Sequence, residues 1–175
     1  YQIFTDATAD MPKLSVADLP PVATIPMQVE VDGQEFVYGP GGDLSVNMFY
    51  QMQRDGKFAY TTQISPSVYF EYFTPYLRQG IDILYLCFSS GMSGTFQSAN
   101  LCIEELKQEY PERTILCIDT LCASVGEGFL VWEAARKQAE GASLSELAAW
   151  VSEHRLQWIL SSICGTEAGC LRRRQ

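Results

Sequence analysis

The sequence holds a single histidine, His154, and only twelve lysines and arginines against twenty-one acidic residues, for a net charge of −9 over 175 residues. One imidazole leaves little material for a histidine metal centre or a histidine-relayed nucleophile. The acidic balance repels nucleic-acid phosphates and anionic membrane surfaces, so no nucleic-acid partner is expected. Long apolar runs are also missing. The longest, Ile81 to Phe88, has the length of a strand and not the roughly 20 residues of a membrane helix, so no integral membrane segment is expected. The opening Tyr1-Gln2-Ile3-Phe4-Thr5-Asp6 lacks the basic and apolar regions of a secretory leader. Six cysteines form no C-x-x-C pair and no zinc-finger spacing, which points to small buried hydrophobes in a reduced, cytoplasmic protein. Gly39-Pro40-Gly41-Gly42 carries no lysine, and no G-x-G-x-x-G string occurs. Both standard nucleotide-binding loops are therefore absent, and no cofactor is implied.

What remains is the composition of one ordinary globular core, 47% hydrophobic and 19% charged. Gln2 to Thr5 reads as a first strand. Val22 to Val31 is β-rich but interrupted by Pro26, and Asp32-Gly33 forms a hairpin turn into Glu35 to Tyr38. Ser45 caps a helix that stops at Gly56. Pro66 opens another, which Pro75 is expected to kink or shorten. Ile81 to Phe88 and Thr114 to Ile118 read as buried strands, separated by a helix from Gly94 to Tyr110. A helix follows over Val125 to Ala139, and Ser143-Leu144-Ser145-Glu146 is a capping box for the last one. Strands alternating with helices of this length imply an α/β protein: three layers, α/β/α, around a mainly parallel sheet.

Two hydroxyl clusters stand out: Thr61-Thr62-Gln63-Ile64-Ser65-Pro66, and Ser89 through Ser98. The second lies between a buried strand and a helix, at the strand end where ligands of open α/β sheets sit. Helix-start N–H groups and hydroxyls suit an anion there. Capping by Ser65 and Ser93 accounts for two of these residues and leaves Thr61, Thr62, Ser89, Ser90 and Thr95 without a task. Ser93, Asp119 and His154 occur in the chain order of an α/β-hydrolase triad, but Gly91-Met92-Ser93-Gly94-Thr95 lacks the second glycine of the nucleophile elbow. His154 sits between Glu153 and Arg155 on a charged helix, and without a base Ser93 is a poor nucleophile. A serine esterase or acyl hydrolase using Ser93 is the alternative reading. Asp6 and Asp10 could ligate a metal, or serve as turn and cap residues after the first strand.

Several ordered strings together resemble the DegV family of bacterial fatty-acid-binding proteins. They are Thr5-Asp6-Ala7-Thr8-Ala9-Asp10-Met11-Pro12, Ile25-Pro26-Met27, Asp32-Gly33, Thr61 to Pro66, Ser89 to Ala99, Ile118-Asp119-Thr120 and Ala123 to Gly128. The likeness covers roughly residues 2 to 155. It implies a two-domain protein whose first domain is a parallel α/β layer structure, here 1–157, and whose second domain covers a slot for one long-chain fatty acid. Residues 158–175 do not match the family's start of that second domain, which is absent or truncated in this reading. The resemblance further implies a carrier subunit, not an enzyme, which presents its cargo to an ATP-dependent fatty acid kinase for acyl phosphate formation. Carried over by position, Thr61 and Ser93 would bind the carboxylate directly, and Thr62, Ser90, Gly94 and Thr95 would supply supporting hydroxyls or N–H groups. Thr62 stands where the family usually has serine and Ile64 where it usually has proline. Phe70, Phe73, Phe96 and Met92 either line the acyl slot or, as a stripe at helical spacing, belong to the core.

Overall fold

Pro26 splits the β-rich stretch into two strands that serve different sheets. In the computed structural model, which describes residues 1–11 and 19–158, β2 (Ala23–Ile25) runs parallel to β1 (Gln2–Asp6). β3 (Met27–Val31) instead pairs antiparallel with β4 (Gln34–Tyr38). Proline has no N–H to continue a ladder, so the chain changes sheets at the residue that cannot be paired. Asp32 (φ 55°) and Gly33 (φ 80°) supply the two left-handed residues of a tight hairpin turn, as the sequence implies.

The second sheet contains a strand that sequence reasoning leaves in a loop. β5 (Ala59–Thr61) pairs antiparallel with β3, giving the order β4-β3-β5. α1 (Val46–Arg54), capped by Ser45 accepting the Met48 N–H at 3.2 Å, lays Phe49 and Met52 against Val29, Val31, Phe36 and Leu44.

The main sheet has the order β2-β1-β6-β7, with β6 (Ile83–Cys87) and β7 (Ile115–Asp119) and every pairing parallel. All five residues of β6 are buried because both faces are covered. Alternation sends Tyr85 and Cys87 towards α2 (Pro66–Arg78) and α3 (Thr95–Glu109), where they meet Phe4, Tyr69, Phe73 and Ile103. Leu84 and Leu86 face α4 (Ser124–Ala139) and α5 (Leu144–His154), against Leu130, Val131, Leu147 and Val151. This is the expected α/β/α sandwich, with the expected hairpin extended by β5 into a separate antiparallel sheet.

α2 is not shortened at Pro75, which lies inside the helix. The helix carries Tyr69, Phe73 and Leu77 inward at intervals of four, and Phe73 meets Phe4 edge-on at 5.0 Å. That aromatic packing outweighs one missing backbone hydrogen bond. Phe73 is fully buried, Phe70 and Phe96 pack against the same core, and Met92 is 70% exposed. The aromatic stripe is therefore core. The capping box at Ser143 and Glu146 forms as expected. Of the expected tail, 158–175, residues 159–175 lie outside the described residues. No described helix is long and apolar enough to cross a membrane.

Candidate functional site

Because the main sheet is parallel, the carboxyl ends of β1, β6 and β7 lie along one edge, with β6 between the other two. Both flanking strands end in aspartate, and both aspartates reach inward to the turn that follows β6. Asp6 Oδ2 accepts the Phe88 N–H at 3.0 Å. Asp119 accepts the Ser90 N–H at 3.1 Å and the Ser90 hydroxyl at 2.5 Å, and also the Leu121 N–H at 3.1 Å. Ser90, for which the resemblance implies a supporting hydroxyl or N–H group, directs both its donors to Asp119. Its structural role is to fix the turn.

The turn then closes on itself. Ser89 Oγ accepts the Gly91 N–H at 3.3 Å, and the Ser89 carbonyl accepts the N–H groups of Met92 and Ser93. Ser93 Oγ accepts the Thr95 N–H at 3.2 Å and lies 2.9 Å from Thr95 Oγ1. Gly94, not Ser93, occupies the cap position of α3. Among the described residues its N–H donates to no group. Ser65 at the start of α2 makes no side-chain cap either, and its hydroxyl pairs with Ser67 at 2.8 Å.

The two hydroxyl clusters meet at Gln63. A Cβ on Gly94 would lie 2.4 Å from Gln63 Oε1, so this glycine lets the first loop close on the start of α3. Ser98 Oγ donates to the Ile64 carbonyl at 2.8 Å and clamps the same approach. Thr61 and Thr62 are exposed, and among the described residues neither hydroxyl has a partner.

A cavity of about 230 Å³ opens beside Thr61. Its floor is one face of the small sheet: Val29 stands opposite both Phe36 and Thr61, and Met27 opposite Tyr38. Leu44, Val46 and Phe49 form an apolar wall, and Ala7, Thr8 and Asp10 close the side towards the main sheet. Register alone puts Thr61 on this face and Tyr60 on the other, since side chains alternate along a strand. Ser93 is not among the residues lining this cavity. Sequence reasoning missed the apolar lining from β3, β4 and α1. The signal for it was the alternation Met27-x-Val29-x-Val31.

The groups needed for hydrolysis are not brought together. Asp119 is engaged by Ser90 and Leu121, and His154 Nδ1 sits 2.9 Å from the Trp150 carbonyl while its ring stacks on Trp150. Asp6 and Asp10 do not share a metal site: Asp6 accepts from Thr8, Tyr85 and Phe88, and Asp10 accepts the Ser124 hydroxyl at 2.5 Å. The four described cysteines are free thiols. Burial, reinforced by Glu127 and Asp119, pushes the Cys122 thiol up to about 11, so it is protonated and unreactive at neutral pH.

Glu127 is the anomaly of the region, a fully buried acid on α4. Burial and then the neighbouring Asp6 charge hold its carboxyl well above the usual range, against the opposing hydrogen bonds of Thr8 and Thr5. A raised folded-state value means that the folded protein binds this proton more tightly than the unfolded chain. Its contribution to stability is complete below the ordinary 4.5 and is lost as pH rises through the raised value. Glu127→Gln is therefore expected to flatten the fall in melting temperature above pH 4.5. A variant that tracks the wild type across that range would rule this out.

A family model described as an uncharacterised protein of the DegV family matches residues 1–164. The chain belongs to the DegV family. A DegV domain-containing protein of Clostridium perfringens is 37% identical over 155 residues, covering 89% of this chain and 53% of that protein. The structure of a DegV family protein from Thermus thermophilus, described by its fatty-acid binding, aligns with a TM-score of 0.72 at 30% identity, covering 89% of this chain and 53% of that one. A stearic-acid-binding protein from Eubacterium ventriosum shares the fold, with a TM-score of 0.76 at 24% identity over 86% of this chain and 52% of its own. The chain thus spans about half the length of the DegV relatives it matches.

Proposed function

We propose that this chain binds a long-chain fatty acid by its carboxylate between Thr61 and the Ser93–Thr95 turn, and carries it in the cytoplasm to an ATP-dependent fatty acid kinase. The observation that carries this reading is the pair of exposed, unpartnered hydroxyls of Thr61 and Thr62 on the loop whose Gln63 approaches Gly94 at the start of α3, with Thr61 lining an apolar cavity. Ser93 and Thr95 complete the set, and Ser90 holds the turn in place. Burying roughly 15 methylenes gains about 12 kcal/mol gross before the costs of association. A carboxylate drawn in with the tail must meet donors or it cancels much of that gain. Hydroxyls and a helix start meet it without a counter-charge, which leaves an oxygen free to be phosphorylated by a separate kinase. Catalysis belongs to that partner: among the described residues Asp119 and His154, the candidate partners of Ser93, are engaged elsewhere. The fatty-acid binding described for the Thermus thermophilus relative supports the choice of ligand.

Organic extraction of the purified protein followed by mass spectrometry tests the reading. A co-purifying long-chain fatty acid is the expected result. An extract free of fatty acid, together with turnover of a chromogenic ester abolished by Ser93→Ala, would replace the carrier with the esterase.

A further inference from the structure

Thr8 lines the cavity and its hydroxyl lies within hydrogen-bond reach of two buried carboxyls, Asp6 Oδ1 and Glu127 Oε2, the latter at 2.8 Å. A hydroxyl has one hydrogen, so it can donate to only one of them. Asp6 is the acceptor: besides Thr8 Oγ1 it receives the Thr8 N–H at 3.0 Å, the Tyr85 hydroxyl at 3.1 Å and the Phe88 N–H at 3.0 Å. That leaves Glu127 as the partner with a proton to give. We propose that Glu127 Oε2 donates a proton to Thr8 Oγ1 and Thr8 donates to Asp6, and that this acid–hydroxyl–carboxylate latch positions the cavity wall and the serine turn for the fatty-acid head.

The latch reaches both halves of the site. Through Thr8 it sets the cavity wall, and through Phe88 it sets the first residue of the turn after β6. A second branch runs from Asp6 through Tyr85 to Tyr69, whose hydroxyl is 3.3 Å from that of Tyr85 and 3.4 Å from the Thr95 carbonyl in the first turn of α3. The groups facing Glu127 are Thr5 and Asp6 on β1, Thr8 and Asp10 on the next turn, and the Cys122 thiol. None of them is a cation that would stabilise an ionised Glu127. Arg155, which acts on Cys122, gives its guanidinium to the Asp119 carbonyl. Ionising Glu127 would set two charged carboxylates on one hydroxyl, and Thr8 would have to abandon one of them. Glutamine can keep the arrangement, because its amide donates to Thr8 while its oxygen accepts from Thr5.

The inference rests on the fatty-acid reading, so its test separates the two. The full chain is titrated with parinaric acid, a fluorescent fatty acid, from pH 6 to pH 9, and wild-type binding decides the parent reading. The ratio of variant to wild type decides the latch. Glu127→Ala and Asp6→Asn are each expected to weaken binding by about tenfold or more, since each strands buried donors or acceptors. Glu127→Gln is expected to restore the affinity that Glu127→Ala loses. Thr8→Val keeps the side-chain shape should Asp6→Asn fail to fold, and is expected to lose affinity to a similar degree. Difference infrared spectra of wild type against Glu127→Gln give a readout independent of ligand: a protonated-carboxyl C=O band at neutral pH, absent from the variant. Absence of that band in wild type overturns the latch. So does a Glu127→Gln variant as weak as Glu127→Ala, or a Thr8→Val variant that binds as wild type does.

Discussion

Replacing Thr61 by valine and Ser93 by alanine in one chain is expected to abolish fatty-acid retention while leaving the fold in place. Each hydroxyl offers the ligand carboxylate a charge-assisted hydrogen bond worth about 1.5–3 kcal/mol. Losing both costs on the order of 3–6 kcal/mol, two to four decades of affinity, with some departure from additivity because they serve one head group. The structural cost is small by comparison. Thr61 is exposed at the end of β5, where valine keeps the β-branched shape and the strand preference. Ser93→Ala removes the acceptor of the Thr95 N–H in the first turn of α3, a loss of about 1 kcal/mol. Native mass spectrometry reads retention and a thermal melt reads the fold. A double variant that still leaves purification loaded with lipid would remove both residues from the site.

Legibility from sequence followed the range of the interactions. The parallel strands, the helices and the serine turn were readable because their signals are local: apolar runs, caps and a turn between a strand and a helix. Thr61 stands out within a hydroxyl cluster and takes its ligand role from the family resemblance, but its strand leaves no trace in sequence. Ala59-Tyr60-Thr61 is too short for an alternation to register, and it becomes a strand only through pairing with β3. The same holds for Asp6 and Asp119. Each looks like an ordinary acid after a strand, and their shared task appears only once β6 is known to lie between β1 and β7. Glu127 falls inside the Ala123 to Gly128 string but gives no local sign of burial. A glutamate in the first turn of a helix is commonplace, and nothing local says that this one points into the protein instead of into water.

Gly128 carries the same lesson into a prediction of stability. In sequence it is a glycine inside a helix, a position where alanine would ordinarily gain about 1 kcal/mol. In the structure a Cβ there would sit 2.0 Å from the Asp10 carbonyl oxygen, 2.5 Å from its carbon and 3.0 Å from the Met11 nitrogen. All three are backbone atoms, so no rotamer change can relieve the overlap. α4 and the turn after β1 must move apart, which breaks the bridge of Ala9 with Ser124 and the pairing of Asp10 with the Ser124 hydroxyl. Overpacking of this kind costs about 1–3 kcal/mol where flexible side chains absorb it, and a rigid backbone places Gly128→Ala at or beyond the upper end even after the gain in helix propensity. A net loss of about 3 kcal/mol corresponds to a fall in melting temperature of roughly 6–12 °C for a domain of this size. Because Asp10 lines the cavity, lipid retention should fall with it. Gly91→Ala is the control: its added carbon meets only Ser89 Oγ, at an ordinary 3.5 Å, and the melting temperature should stay close to that of wild type. If Gly128→Ala melts with that control, α4 does not approach the turn this closely, and the cavity wall that depends on the approach must be built some other way.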